Sequence, residues 1–174
     1  MKNLPKIVIK ENLRQEVNVF LNFLHHPYYP QHRNLIFRVF PELKLLLKNK
    51  KDEKKIVRKF IIDFRENHKD KINQIIKQSK VVIKNKGPLA LKALANLMDY
   101  DWTKPTTYTA IPTILPHSPF GDNVFYFSIL KQINKGKSDR DVLYIAIYEI
   151  SHFIFLIILK KLKRKISLNF QKMQ

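Results

Sequence analysis

Two stretches near the start of the chain carry apolar side chains at the spacing of a helix face. They cover residues 11–24 and 31–48, and a segment rich in His, Pro and Tyr separates them. Pro41 lies inside the second stretch, and proline has no backbone N–H to give to a helix. We therefore expect a helix over 11–24 and a second helical segment that kinks or restarts at Pro41.

The longest helical pattern covers residues 52–84. Apolar side chains recur there about every 3.6 residues, and Lys, Glu and Asp fill the positions between them. This pattern predicts one long amphipathic helix. Gly87-Pro88 is expected to end it, because glycine is common just after a helix and proline cannot continue one. Residues 89–100 then predict a shorter helix.

The pattern changes after residue 105. Segment 106–115 is rich in β-branched residues that alternate with other residues, and 124–130 is similar, so each predicts a strand. Pro112 is expected to place the first strand at a sheet edge or at a bulge. Segment 139–164 predicts an apolar helix that ends among cations. The expected fold is therefore α+β and mostly helical, with a small sheet packed on a central apolar helix.

The same boundary at Gly87-Pro88 suggests a domain division. Segment 1–87 is predicted to be a basic helical region, and 88–174 to hold both strands and the apolar helix. The alternative is a single domain over 1–174. The length of the chain allows either arrangement, since a protein of this size can form one real core or a small core with a helical extension.

The composition limits the chemistry. There is no cysteine, which excludes disulfides, thiolate catalysis and Cys-type zinc sites and is compatible with the cytoplasm. No Gly-rich phosphate-binding motif is present. Lys and Arg number 33 against 14 Asp and Glu, a net charge of +19. Such a charge attracts nucleic acid, anionic membranes or acidic proteins.

The apolar run from Val142 to Leu159 has one charged residue, Glu149. Its length just reaches the lower limit for crossing a bilayer, and a basic cluster follows it. A carboxylate near the centre of a membrane helix costs roughly 2.5–3.5 kcal/mol, which argues against a spanning segment. Peripheral attachment to a membrane and burial inside a domain are the two remaining interpretations of this helix.

Glu149 and His152 lie three residues apart on this helix, so they share one face. Buried polar groups need partners, and these two therefore require an explanation. They can form part of a functional cleft, or they can be structural groups that are hydrogen-bonded in the core. The segment Tyr148-Glu-Ile-Ser-His152 differs at one position from the zinc motif H-E-x-x-H, in which two histidines hold the metal and the glutamate polarises its water.

With the two strands ahead of this helix, the segment resembles the core of zinc metallopeptidases of the gluzincin type. The resemblance covers about residues 89–160 and implies an edge strand that binds extended substrate. It implies that Glu149 occupies the position of the general base, His152 that of the second zinc ligand, and Tyr148 that of the first. His117, in the loop between the strands, is the nearest histidine in the sequence that could add a ligand. The chain has no Asp, Glu or His after His152, where this family places its third ligand.

Three functions follow as expectations. The first is a metallopeptidase-like protein with a degenerate zinc motif, a pseudoenzyme that retains a peptide or protein partner; if active, it would be a zinc peptidase. The second is a basic nucleic-acid-binding protein, and the third a peripheral membrane-associated protein. The cations assigned to the second function follow the apolar helix: Lys160, Lys161, Lys163, Arg164 and Lys165.

Overall fold

A computed structural model describes residues 4–48, 52–102, 105–121, 123–135 and 139–171, without the side chains of 135, 139–141 and 164–171. The described residues form mainly helices with one small sheet, as the sequence predicts. In chain order the elements are β1 (Lys6–Ile9), α1 (Leu13–Leu24), α2 (Pro30–Val39), α3 (Pro41–Leu46), α4 (Glu53–Asn67), α5 (Lys69–Leu97), β2 (Thr107–Thr113), β3 (Phe120–Gly121), β4 (Val124–Ser128), α6 (Leu130–Lys135) and α7 (Asp139–Gln171).

The expected α+β class is confirmed. Strands β2 and β4 match the two predicted strands, and α7 matches the predicted apolar helix and extends beyond it. The restart of helix at Pro41 is also confirmed, because α2 ends at Val39 and α3 begins at Pro41. Strands β1 and β3 and helix α6 were not predicted, since each is too short to show a periodic pattern.

The four strands of the described sheet have the order β1-β2-β4-β3. Strands β1, β2 and β4 are parallel, and β3 is antiparallel to β4. Strand β1 comes from segment 1–87 and pairs with β2 from segment 88–174, so the two segments share one sheet. Strand β3 lies at the edge of the sheet, directly ahead of β4 in the chain.

The expectation that Pro112 keeps its strand at an edge is wrong for the strand as a whole, since β2 lies between β1 and β4. It holds locally, however. The pairing of β1 with β2 ends where Ile9 meets Ala110, two residues before Pro112. The carbonyl oxygen of Pro112 accepts a hydrogen bond of 2.9 Å from the Arg65 guanidinium instead of from a strand. Proline is thus tolerated because β2 has no neighbour on that side there.

The single helix predicted over 52–84 is instead two helices, which meet at His68. The His68 ring nitrogen Nδ1 lies 2.9 Å from the carbonyl oxygen of Phe64, and the two rings stack with centroids 4.3 Å apart. In an unbroken helix that carbonyl would accept from the backbone N–H of His68. That N–H bonds to Arg65 instead, at 3.3 Å. A local side-chain bond therefore competes with the helix and ends it.

The predicted helix end at Gly87-Pro88 is wrong, because α5 continues through both residues to Leu97. A proline inside a helix removes one hydrogen bond and costs about 3 kcal/mol. Packing offsets this cost, since α5 lies against both α7 and β1. Its apolar face continues on both sides of the proline, where Ile83, Leu91 and Leu94 are all buried.

Aromatic contacts fix α7 over the sheet. Phe153 of α7 stacks on Tyr108 of β2, with ring centroids 5.7 Å apart. It also meets Phe120 of β3 edge to face at 5.6 Å. The core face of α7 consists of buried side chains at helical spacing: Val142, Ala146, Ile150 and Ile154. These contacts hold the segment that carries Glu149 and His152 beside the edge strand.

Candidate functional site

Glu149 lies on the buried side of α7. Only 4% of the residue is exposed, and its Oε2 has no hydrogen-bond partner within the described part of the chain. Burial removes water from the carboxylate and disfavours its charged form, which raises the pKa of Glu149 to about 7. The site therefore holds a carboxyl group that can take up or release a proton near neutral pH. A carboxyl whose pKa is raised in this way by burial is a candidate functional group.

His152 lies beside Glu149 and contacts the edge strand. Its ring stacks on Phe120 of β3, with centroids 5.5 Å apart and an angle of 12° between the planes. It also meets the Tyr148 ring edge to face at 4.6 Å. His152 is partly exposed, so its free nitrogen atoms can be reached from solvent. The predicted pair on one helix face thus lies next to β3.

Tyr148, in the position of the first zinc ligand, points away from the core. It is 50% exposed and stacks on Tyr144 one turn earlier, with centroids 6.1 Å apart. Its carbonyl oxygen accepts a hydrogen bond of 2.6 Å from the Ser151 hydroxyl. Tyr148 therefore has two aromatic neighbours, Tyr144 and His152, on the outer surface of the helix.

His117 belongs to a different cluster. Its Nε2 lies 3.2 Å from Nδ1 of His32 on α2, and its ring lies 5.4 Å from that of Phe23 on α1. Burial lowers the pKa of His117, and the neighbouring His32 lowers it further. Burial likewise lowers the pKa of His32, as does the nearby His26. The structure thus groups His117 with helices α1 and α2.

Zinc is the cofactor that the resemblance implies, and the donor set does not fit it. A catalytic zinc ion has three protein ligands as a rule. Among the described residues, no group of three or more His, Asp or Glu side chains is arranged to hold a metal ion. His152 and Glu149 share a face, but His117 is engaged with His32. The described side chains around Glu149 and His152 therefore do not form a zinc site.

A cleft of about 590 Å³ opens next to the His152–Phe120 pair. Sequence reasoning did not find it, because it forms between segments distant in the chain. Its walls come from the segment before β2, from the β3–β4 hairpin and from the C-terminal half of α7: Pro105, Thr106, Phe120, Asn123, Phe153, Leu156, Ile157 and Lys160. Phe120 thus contacts His152 on one side and lines the cleft on the other.

The cations assigned to nucleic-acid binding lie at the end of this helix. Lys160, Lys161 and Lys163 are exposed. The Lys161 ammonium lies 5.8 Å from the centre of the Tyr100 ring, which is within the range of a cation–π contact. The side chains of Arg164 and Lys165 lie outside the described part of the structure. The described lysines form a positive surface beside the cleft.

The helix is also apolar enough to cross a membrane by length and composition. The stretch Val142–Lys163 has a mean hydropathy of 2.2, and 33% of its 18-residue apolar window is buried in the fold. Within the described residues it is the single such helix, and one helix of this kind is weak evidence for a membrane span. The remaining residues are half-buried or exposed, which is unusual for a core helix of this hydropathy.

No protein-family model matches the chain, and no curated protein and no solved structure matches it. The residues of α7 and β3, and the cleft that these elements share, are therefore the features that indicate a function.

Proposed function

We propose that the chain is a metallopeptidase-like scaffold that binds an extended polypeptide segment along strand β3 without cleaving it. The observation that supports this most is the His152–Phe120 stack, in which His152, three residues after Glu149, lies directly against an edge strand. In the enzymes that the sequence resembles, an edge strand ahead of the helix binds the substrate in an extended form. Here β3 stands at that point of the chain, followed by β4 and α7.

Strand geometry supports the mode of binding. β3 pairs with β4 on one side, and the order of the described strands leaves its other side without a strand. An extended peptide can add to such an edge through backbone hydrogen bonds, while neighbouring pockets take alternate side chains. The cleft lined by Phe120, Phe153 and Leu156 is apolar and offers one such pocket.

The argument against cleavage is chemical. The position of the first zinc ligand is Tyr148, half exposed on the outer surface of α7. A phenol, with an ordinary pKa near 10, is a poor replacement for neutral imidazole at pH 7. The partly exposed His152 can hydrogen-bond to a bound peptide, whereas Glu149 is buried behind it. The proposed protein is thus a peptide-binding pseudoenzyme.

The proposal is tested with a fluorescein-labelled library of unstructured peptides and fluorescence anisotropy. Binding by the wild type should weaken at least about tenfold in Phe120→Ala, because one aromatic anchor is worth about 2 kcal/mol or more. Tyr28→Ala is the matched control, since Tyr28 is an exposed ring on the turn before α2 and lies outside the cleft lining. Equal binding by both variants would contradict the site.

Cleavage is assayed on the same peptides by mass spectrometry with added zinc. We expect the peptides to be recovered intact. Zinc-dependent cleavage that disappears in Glu149→Gln would show that the chain is a working peptidase and would remove the non-catalytic part of the proposal.

A further inference from the structure

Helix α7 has a second apolar face that the fold leaves uncovered. Tyr144, Tyr148, Phe155 and Leu162 are each between 50% and 70% exposed. Their spacings of 4, 7 and 7 residues place all four within about 40° of one line along a helix of 3.6 residues per turn. At a rise of about 1.5 Å per residue, the line is about 27 Å long. We call these four residues the outer stripe.

The outer stripe lies opposite the face of α7 that packs on the sheet. The core positions Val142, Ala146 and Ile150 fall roughly half a turn away from it around the helix. Neither Tyr144 nor Phe155 is needed to fill the core. Large aromatic side chains aligned on an exposed surface mark an interaction site rather than ordinary scatter.

Charge identifies the kind of partner. Past Phe155, helix α7 continues into exposed cations, of which Lys161 and Lys163 lie within about 100° of the outer stripe around the helix. The sequence has no Asp or Glu after Glu149, and the whole chain carries +19. Tyrosine is an amphipathic side chain that favours the boundary between lipid and water. An apolar stripe with tyrosines, followed by lysines, has the composition of a helix that lies on an anionic bilayer.

We propose that α7 docks the folded protein on an anionic membrane surface, with the outer stripe in the headgroup region and the lysines against acidic lipids. The helix lies on the bilayer and does not cross it. Crossing would strip α7 from the sheet and uncover the buried Tyr108, on which Phe153 stacks, and would place Glu149 in the hydrocarbon region. A second copy of the chain is a poorer occupant, because two copies at +19 each repel one another.

This inference is independent of peptide binding. The outer stripe contains none of the residues that line the cleft, which lies against Phe153, Leu156 and Ile157. A protein docked through the stripe would therefore keep the cleft accessible. Loss of either activity in a variant leaves the other measurable.

The test is flotation of the full chain with vesicles of phosphatidylcholine, with and without phosphatidylserine. Wild type should float with the anionic vesicles and remain behind with the neutral ones. The double variant Tyr144→Ser/Phe155→Ser should bind at least about tenfold more weakly, because it removes two large apolar anchors. The control Leu89→Ser/Leu97→Ser alters two equally exposed apolar residues of α5 and should bind like wild type.

Two double variants with the same change in net charge test the contribution of the lysines to vesicle binding. Lys161→Glu/Lys163→Glu should lose most of the binding to anionic vesicles, since each substitution removes an attraction to the acidic lipids and adds a repulsion. Lys54→Glu/Lys55→Glu changes the net charge equally on the exposed side of α4 and should retain more of it. Circular dichroism confirms that each variant is folded before it is compared.

Four results would overturn the proposal. One is wild-type protein that floats with neither vesicle, or equally well with both. Another is equal binding by the outer-stripe variant and its α5 control. A third is a concentration-dependent dimer that Tyr144→Ser/Phe155→Ser disperses, without vesicle binding, which would assign the stripe to a second copy. The last is duplex DNA binding that Lys161→Glu/Lys163→Glu abolishes while vesicles are not bound, which would assign the lysines to nucleic acid.

Discussion

Glu16 of α1 and Arg65 of α4 form an ion pair at the end of strand β2, with Oε2 2.8 Å from the nearer guanidinium nitrogen. Glu16 is completely buried. Its other oxygen, Oε1, accepts a hydrogen bond of 2.9 Å from the backbone N–H of Ile114, while Arg65 donates to the carbonyl oxygen of Pro112. One ion pair thus satisfies the backbone where β2 has lost its neighbouring strand.

Glu16→Ala should therefore destabilise the fold by about 3–5 kcal/mol, because it leaves the largely buried Arg65 guanidinium without its nearest carboxylate and the Ile114 N–H without its acceptor. Glu11 is the matched control, since it contacts the same arginine at 3.0 Å from a half-exposed position. Glu11→Ala should cost no more than about 1 kcal/mol. Urea unfolding of both variants measures the difference. Similar costs would show that burial of the pair does not matter.

The shared sheet predicts cooperative unfolding. Most of the helix lies in α1 to α5, whereas the only tryptophan, Trp102, is buried beside Tyr100 and Tyr108 in the second half of the chain. Because β1 pairs with β2, the helical signal and the Trp102 fluorescence should change at the same urea concentration. Two separate transitions would favour the alternative of distinct units at 1–87 and 88–174.

Glu149 predicts a pH dependence of stability. Its pKa is raised from 4.5 to about 7, so the folded state favours the protonated form. The contribution to stability is therefore complete below pH 4.5 and is lost as pH rises through about 7, by about 3 kcal/mol in total. Glu149→Gln does not ionise, so its stability relative to wild type should rise between pH 5 and pH 8. Glu66→Gln, at an exposed position, controls for the effect of the amide substitution itself.

The His32–His117 pair predicts the opposite dependence. Both pKa values are lowered from 6.5, so the fold favours the neutral rings. Their contribution is present above pH 6.5 and is lost as pH falls below that value. Wild type should therefore lose more stability than His117→Leu between pH 7 and pH 5, measured by urea unfolding. An equal loss in the two proteins would mean that the contact of 3.2 Å does not respond to protonation.

Local patterns predicted a large part of the fold. The alternation in 106–115 and the helical spacing in 139–164 depend only on neighbouring residues, and both elements are present. The break at His68 could not be predicted in this way, because the His68 ring competes for a carbonyl that any helix would use. The continuation through Pro88 depends on packing against α7 and β1, which requires the tertiary structure.

The candidate site was predictable to a similar extent. A separation of three residues places Glu149 and His152 on one face of a helix, and the structure keeps them there. Phe120 was missed, because its contact with His152 depends on the strand order and on the angle of α7 to the sheet. The partner of His117 is His32, 85 residues earlier in the chain, and nothing local identifies it.

The proposed pseudoenzyme is expected to lack a zinc site at the YEISH helix, and elemental zinc analysis tests this expectation most directly. Wild type, His152→Ala and Tyr148→His are purified without chelator or a histidine tag and equilibrated with zinc. Tyr148→His is the positive control, because histidines four residues apart on a helix bind zinc. We predict zinc well below one ion per chain in wild type, unchanged in His152→Ala and increased in Tyr148→His. About one zinc per wild-type chain, lost in His152→Ala, would contradict the account.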